Sequence, residues 1–543
     1  MQRKGHVALD GAMACLAFVA ATTIIAISPA SADDSANIPP ALKCADLTGW
    51  TVPGSTASVT KAEEVPEAPP GTVQPSPPAP ATVSVALPPN CRVDGVIDQR
   101  VGVDGKPYAI GFAVALPDRW NGRFLFQGGG GLNGTIRPPL GYQAAGEVPA
   151  LARGFAVVST DSGHQGAVFD ASFLRDQEAA LNFATASVGK VTIAAKAIVT
   201  HYYGQGAKHS YFTGCSTGGR EAMLASARYP DQFDGIVAGA PAMRTGNSNI
   251  GLAWVNAAFS RIAPKDASGK PEPAKAFSAD ERKLITNAIL DACDAKDGVK
   301  DGLIFDRKAC QFDPEVLTCK GDIKDGKSES CLAPQQVDAL RKAFAGPKNS
   351  RGTQVYPPFP WDGGVAAEGV AIPGILTTGA RSPVGPPVWE SIDVDQLEDR
   401  VNASGMDRLA NTAYWTNLSS FFGHGGKLLF YHGVSDPWFS ANDTVNYYER
   451  MAAESGGMET VREKSSRAFL VPGMGHCSSG ATLDRFDLLT AIVNWVEDGK
   501  APDAVVATGP AFLGRSRPLC AYPQHAQYKG QGDPESAASF ECR

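Results

Sequence analysis

Short apolar runs separated by turn signals dominate the first half of the chain. Val93 to Leu116 alternates apolar and polar positions around Asp104-Gly105, the period-two pattern of two strands joined by a turn. Arg123-Phe124-Leu125-Phe126, Phe155-Ala156-Val157-Val158 and Ser210-Tyr211-Phe212-Thr213 read as buried strands, with helical character from Leu181 to Tyr203. Strands alternating with helix predict an α/β domain with a mostly parallel sheet. After Pro241 the pattern is lost, and Lys265 to Pro273 and Gly363 to Pro387 are rich in Gly and Pro. Strand order resumes at Lys427-Leu428-Leu429-Phe430-Tyr431 and Ala468-Phe469-Leu470-Val471, followed by a helix predicted from Leu483 to Glu497. The expected organisation is a core of residues 33–244 and 425–543 interrupted by an inserted domain, 245–424. Residues 52–90, rich in Pro, Ala, Ser and Thr, read as an extended stretch closed by Cys44 and Cys91.

Composition narrows the function classes. In 543 residues, 49 Lys and Arg face 56 Asp and Glu, a net charge of −7, which argues against a nucleic-acid groove or a polybasic membrane surface. The N-terminus reads Met1-Gln2-Arg3-Lys4, an apolar stretch around Ala14 to Ile27, then Ala30-Ser31-Ala32. That is a signal-peptide pattern, with cleavage expected after Ala32. A membrane anchor is disfavoured because the apolar stretch falls short of about 18 uncharged residues. The expected mature protein is soluble, free of the membrane, and secreted or periplasmic.

Cys15 leaves with that peptide and ten cysteines remain, enough for five disulfides in an exported chain. Zinc clusters need closer Cys pairs than any present. Spacing alone does not settle the pairing, but local neighbours give Cys44 with Cys91, Cys293 with Cys310, Cys319 with Cys331, and Cys520 with Cys542. Cys215 and Cys477 are then left over.

Gly214-Cys215-Ser216-Thr217-Gly218 is G-x-S-x-G, a pattern that arises by accident about 0.4 times in a chain this long, so context must carry it. It follows the strand Ser210 to Thr213 and precedes the helix-compatible run Arg220 to Ala225, as a nucleophile elbow requires. A serine hydroxyl needs a base, and the base needs an orienting acid. Of His424, His432, His476 and His525 downstream, His476 lies in a loop between the last strand and the last helix, where a base belongs. His432 lies within or at the end of a strand and reads as a packed core imidazole. Asp436, after the strand ending at Tyr431, is the best acid. Oxyanion donors are expected from the Thr217 N–H and from Gly128 to Gly131, with Gly129, Gly130 and Gly131 the candidates. If Ser216 meets His476, their neighbours Cys215 and Cys477 approach disulfide distance, so that bond is predicted as a staple across the site.

Asp291 to Leu303 concentrates carboxylates and glycines of the kind that bind calcium, although on spacing alone solvated surface acids are as good a reading. Four segments, Gly214-Cys215-Ser216-Thr217-Gly218-Gly219, Gly235-Ile236-Val237-Ala238-Gly239-Ala240-Pro241, Cys293-Asp294-Ala295-Lys296-Asp297-Gly298 and Gly475-His476-Cys477, together resemble the tannase and feruloyl esterase family. The resemblance implies an α/β-hydrolase core with a lid, a triad at Ser216, Asp436 and His476, and the Cys215–Cys477 disulfide. It also implies structural calcium held by the side chains of Asp294, Asp297 and Asp301 and the carbonyls of Val299 and Leu303, with no organic cofactor. The expected activity is hydrolysis of phenolic or aromatic acid esters, with terephthalate-type monoesters as an alternative and a non-catalytic aromatic-binding protein as the other class. Trp389, Tyr414, Trp415, Phe421, Phe422, Trp438 and Phe439 are candidates for an aromatic acyl pocket.

Overall fold

The computed structural model describes residues 37–75, 81–320, 330–370, 372–378 and 391–543. The expected signal peptide and Trp389 lie outside them. Strands β1 (Ser58–Val65), β2 (Asn90–Val101) and β3 (Pro107–Pro117) form an antiparallel meander, with Asp104-Gly105 in the β2–β3 turn. Strands β4 (Arg123–Gln127), β5 (Ala156–Thr160), β6 (His209–Cys215), β7 (Gly235–Gly239), β8 (Lys427–Gly433) and β9 (Ser466–Val471) run parallel to one another. Together they make one nine-stranded sheet of order β1-β2-β3-β5-β4-β6-β7-β8-β9. Every residue of β4, β5 and β7 is buried, because helices cover both faces of a parallel sheet. That is why these strands read as continuous apolar runs.

Two expectations are corrected. Part of the stretch expected to be merely extended, Ser58–Val65, is the edge strand of the sheet. Its burial pattern is largely exposed and it carries Lys61, Glu63 and Glu64, so apolar alternation is nearly absent. Charge on an edge strand discourages pairing with another chain. The last helix spans Leu488–Asp498 rather than starting at Leu483, because Asp487 caps it by accepting the Thr490 N–H at 2.8 Å.

Between β7 and β8, the described part of residues 240–426 adds no strand to this sheet. The helices Thr245–Ser260, Ala279–Cys293 and Pro334–Ala345 surround their own apolar cluster, which includes Phe259, Ile285, Ile289, Leu340 and Phe344. Ser278 and Glu281 form a capping box at the start of the second of these, satisfying two backbone donors. This insertion is tied to the core by a buried carboxylate. Asp362 accepts from Ser435 Oγ at 2.6 Å, in the loop after β8, and from the Gly473 N–H at 2.7 Å, in the loop after β9.

Candidate active site

β6 ends at Cys215 and a helix, Thr217–Arg228, starts immediately beyond Ser216. A turn that sharp forces Ser216 to φ +64° and ψ −122°, a conformation L-residues rarely hold, and presents its side chain above the sheet edge. The flanking glycines are obligatory. A Cβ on Gly214 would lie 2.3 Å from the Gly218 carbonyl oxygen, and one on Gly218 would lie 2.8 Å from that of Gly129. The positive end of the helix dipole points at this spot.

Asp436 and His476 meet in the loops after β8 and β9. His476 Nδ1 lies 2.7 Å from Asp436 Oδ2, with both residues buried. Since the carboxylate only accepts, Nδ1 carries the proton and Nε2 presents a bare lone pair. Among the described residues Nε2 has no hydrogen-bond partner, and His476 shares a cavity wall with Ser216. Asp436 Oδ1 accepts from the backbone N–H groups of Trp438 at 2.8 Å and Phe439 at 3.0 Å. Burial by itself would raise the Asp436 pKa, but the neighbouring His476 and His432 outweigh it and hold the carboxyl well below its ordinary range.

His432 is more than a packed ring. Its Nε2 lies 3.0 Å from the Phe439 carbonyl and 3.3 Å from Asp436 Oδ2, and its Nδ1 lies 2.8 Å from Thr444 Oγ1. Two acceptors facing Nε2 require that nitrogen to carry the proton, so His432 supports the same Asp436 oxygen that His476 contacts.

All five expected disulfides form. Cys215 and Cys477 are bonded across 262 residues with their Cα atoms 5.9 Å apart, fixing the neighbours Ser216 and His476 on either side of the bond. Five disulfides fit an oxidising, extracytoplasmic environment.

The glycine run after β4 lies against the elbow, and the structure removes one of its members from the oxyanion set. Gly129 donates its N–H to Glu221 Oε2 at 2.9 Å, so that donor is spent inside the fold. Glu221 is fully buried on the helix that follows Ser216 and also accepts from Asn133 Nδ2 at 2.7 Å and Ser162 Oγ at 3.1 Å. Thr217 Oγ1 donates to the Gly131 carbonyl, pinning the far end of the run beside the Thr217 backbone. Gly130 and Gly131 line the cavity and remain candidates with the Thr217 N–H.

That cavity measures about 850 Å³ and is walled by Tyr142, Phe169, Trp438, Phe486 and Ile372 besides the groups above. Of the aromatic residues singled out from sequence, Trp438 lines it, and Phe439 stacks obliquely at 5.2 Å from the His476 ring. Phe421 is in the core, Phe422 packs against it, and Tyr414 is 71% exposed elsewhere with Trp415 at 45%. Phe169, Tyr142 and Phe486 carry no local motif and were not foreseen; Glu221 left one signal, a carboxylate heading the apolar run Ala222-Met223-Leu224-Ala225.

Among the described residues no three His, Cys, Asp or Glu side chains converge as a ready metal cluster. In the loop expected to take calcium, Asp294 accepts the Gly302 N–H at 2.8 Å, Asp297 the Phe305 N–H at 3.1 Å, and Asp301 the Leu303 N–H at 3.0 Å. Asp301 also pairs with Arg517, at 3.0 Å to Nε. Val299 and Leu303 therefore adjoin the carboxylates, each through its own N–H. Burial, with repulsion from Asp301 and Asp294, pushes the Asp297 carboxyl up to about 7, and burial raises Asp294 as well. Asp294 and Asp297, buried and without an ion-pair partner among the described residues, are donors that suit a hard cation, whereas Asp301 is already paired with Arg517.

The family model for tannase and feruloyl esterase matches residues 91–383 and 388–543. Mono(2-hydroxyethyl) terephthalate hydrolase of Piscinibacter sakaiensis is 40% identical over 531 residues, covering 86% of this chain and 86% of that protein. A probable feruloyl esterase B-1 of Aspergillus fumigatus is 31% identical over 448 residues, covering 79% and 81%. The crystal structure of feruloyl esterase B from Aspergillus oryzae superposes with a TM-score of 0.71 at 27% identity, over 90% of this chain and 97% of that one. The sheet order, the strand-to-helix elbow and these matches agree on an α/β-hydrolase fold. The chain belongs to the tannase and feruloyl esterase family of carboxylic ester hydrolases.

Proposed function

We propose that this protein is an exported serine carboxylesterase, secreted or periplasmic, which cleaves esters of phenolic or aromatic acids through Ser216, His476 and Asp436. The observation that carries the reading is the 2.7 Å contact of His476 Nδ1 with Asp436, which leaves Nε2 as a free base on the cavity wall it shares with Ser216. Ser216 Oγ attacks the ester carbonyl as His476 Nε2 takes its proton. The tetrahedral oxyanion is held by the Thr217 N–H and by Gly130 or Gly131. His476 then protonates the departing alcohol, leaving an acyl group on Ser216, and water activated by the same imidazole releases the acid. Asp436, kept ionised, stabilises the imidazolium throughout.

Aromatic walls at Tyr142, Phe169, Trp438 and Phe486 support an aromatic substrate, and the names of the feruloyl esterase relatives agree with it. The 40% identical terephthalate monoester hydrolase favours a second reading, in which the aromatic acid is a terephthalate monoester. Calcium is assigned a structural role, held by Asp294, Asp297 and Asp301 with the carbonyls of Val299 and Leu303. When bound it neutralises the buried carboxylates and takes no part in acyl transfer.

The test is a hydrolysis panel of methyl ferulate, methyl gallate, chlorogenate and a terephthalate monoester, run with wild type and Ser216→Ala. Wild type should turn over at least one ester, and the alanine variant should lose about 10³-fold or more. Activity that survives in Ser216→Ala would overturn the mechanism.

A further inference from the structure

Arg137 lies in the loop between β4 and β5 and lines the same cavity as Ser216 and His476. A Cβ built on Gly130 would lie 2.5 Å from Arg137 Nη2, so the guanidinium rests against the glycine run itself. Its side chain makes one hydrogen bond among the described residues, Nη1 to Tyr142 Oη at 3.1 Å, and no ion pair.

Arg137 is the one basic side chain on this wall without an ion-pair partner among the described residues. Arg485 pairs with Glu147 at 2.6 Å and His476 is bound to Asp436, while Asp484 accepts the Ser479 N–H through Oδ2 at 2.7 Å and its Oδ1 is buried with no partner among the described residues. A half-buried guanidinium with Nε–H and Nη2 donors unspent is a planar fork that matches a carboxylate. Phe169 and Trp438, edge to face at 6.1 Å, supply apolar aromatic surface in the same cavity.

We propose that Arg137 is a specificity-determining residue that binds a free carboxylate on the substrate, so the preferred ester is an aromatic one carrying a negative charge. The proposal rests on the esterase reading above and adds the charge of the substrate to it. The carboxylate belongs either to the acid half of the ester or to its alcohol half, and matched substrates separate these.

Monomethyl terephthalate is compared with the neutral methyl 4-acetylbenzoate, and chlorogenate with the neutral methyl caffeate, in wild type, Arg137→Gln and Arg137→Lys. In at least one pair Arg137→Gln should lower the charged-to-neutral ratio of kcat/KM by about 10- to 100-fold, chiefly through KM, with Arg137→Lys in between. The pair that responds identifies which half bears the carboxylate. A ratio that stays within about threefold in both pairs overturns the proposal, since equal losses would assign Arg137 to the oxyanion or to loop structure.

Binding supplies a readout independent of turnover. The amide 4-carbamoylbenzoate should bind Ser216→Ala more tightly than the uncharged terephthalamide does, and adding Arg137→Gln should erase the difference. No preference for the charged amide overturns the assignment. Failure of wild type to hydrolyse any of the four esters would instead count against the esterase reading, leaving the binding comparison to decide Arg137.

Discussion

Glu221, fully buried, ties the helix after Ser216 to the glycine run that follows β4. Its carboxylate holds Gly129 and Asn133, 92 and 88 residues away in sequence, and so orients the glycine run that follows β4. Glu221→Gln keeps the size but turns an amide donor toward two donors. The expected outcome is a fall in kcat of about 10- to 100-fold with KM little changed, because displaced oxyanion donors cost transition-state rather than ground-state stabilisation. Steady-state kinetics on one neutral ester checks this, and an unchanged kcat would refute it. Ser216, Asp436 and His476 were legible one residue at a time because strand ends and loop positions mark them. Glu221 and Arg137 were not, since an acid on a helix and an arginine in a loop carry no signal until folding shows what they face. His432 was read as core, and it is buried, yet its donor to Asp436 depends on the path of the chain from Gly433 to Phe439.

Among the elements, the elbow after β6 and the loop after β9 carry the proposed nucleophile and base, and the Cys215–Cys477 bond joins them. Replacing both cysteines with serine should cost about 2–4 kcal/mol of stability and lower kcat at temperatures where the fold persists. Thermal denaturation together with kcat at 20 °C tests this; a variant with full activity would show that packing alone keeps the two loops in register. The parallel strands were foreseen because burial on both faces leaves an unbroken apolar run. The edge strand Ser58–Val65 was missed for the opposite reason, since exposure and charge remove the pattern. The helix end at Leu488 was misjudged because Asp487 caps it from within an apolar segment.

At the scale of the whole molecule, the insertion is coupled to the loops after β8 and β9 through Asp362, which spans from Ser435 to Gly473 and lies buried between them. The proposed calcium belongs at this scale too, since its ligands lie in the insertion and it would stabilise the fold rather than take part in the chemistry. Removing it with EDTA should lower the Tm by about 5 °C or more, and excess calcium should restore it. Asp297→Asn should abolish the response to calcium, and a Tm indifferent to EDTA and calcium in wild type would reject the site.

The amino-acid sequence by itself determined the α/β alternation, the strand-to-helix elbow and the family, and it marked the candidate acid and base and the cysteines for five disulfides, because each rests on local pattern or on spacing between neighbours. The tertiary structure alone decided that Gly129 is spent on Glu221, that Asp362 clamps two loops, that a charged edge strand closes the sheet, and that Arg137 lines the cavity with no ion-pair partner among the described residues. These depend on side chains from distant segments competing for the same donors and acceptors. Such a competition is settled only when burial brings them together and every polar group must find a partner.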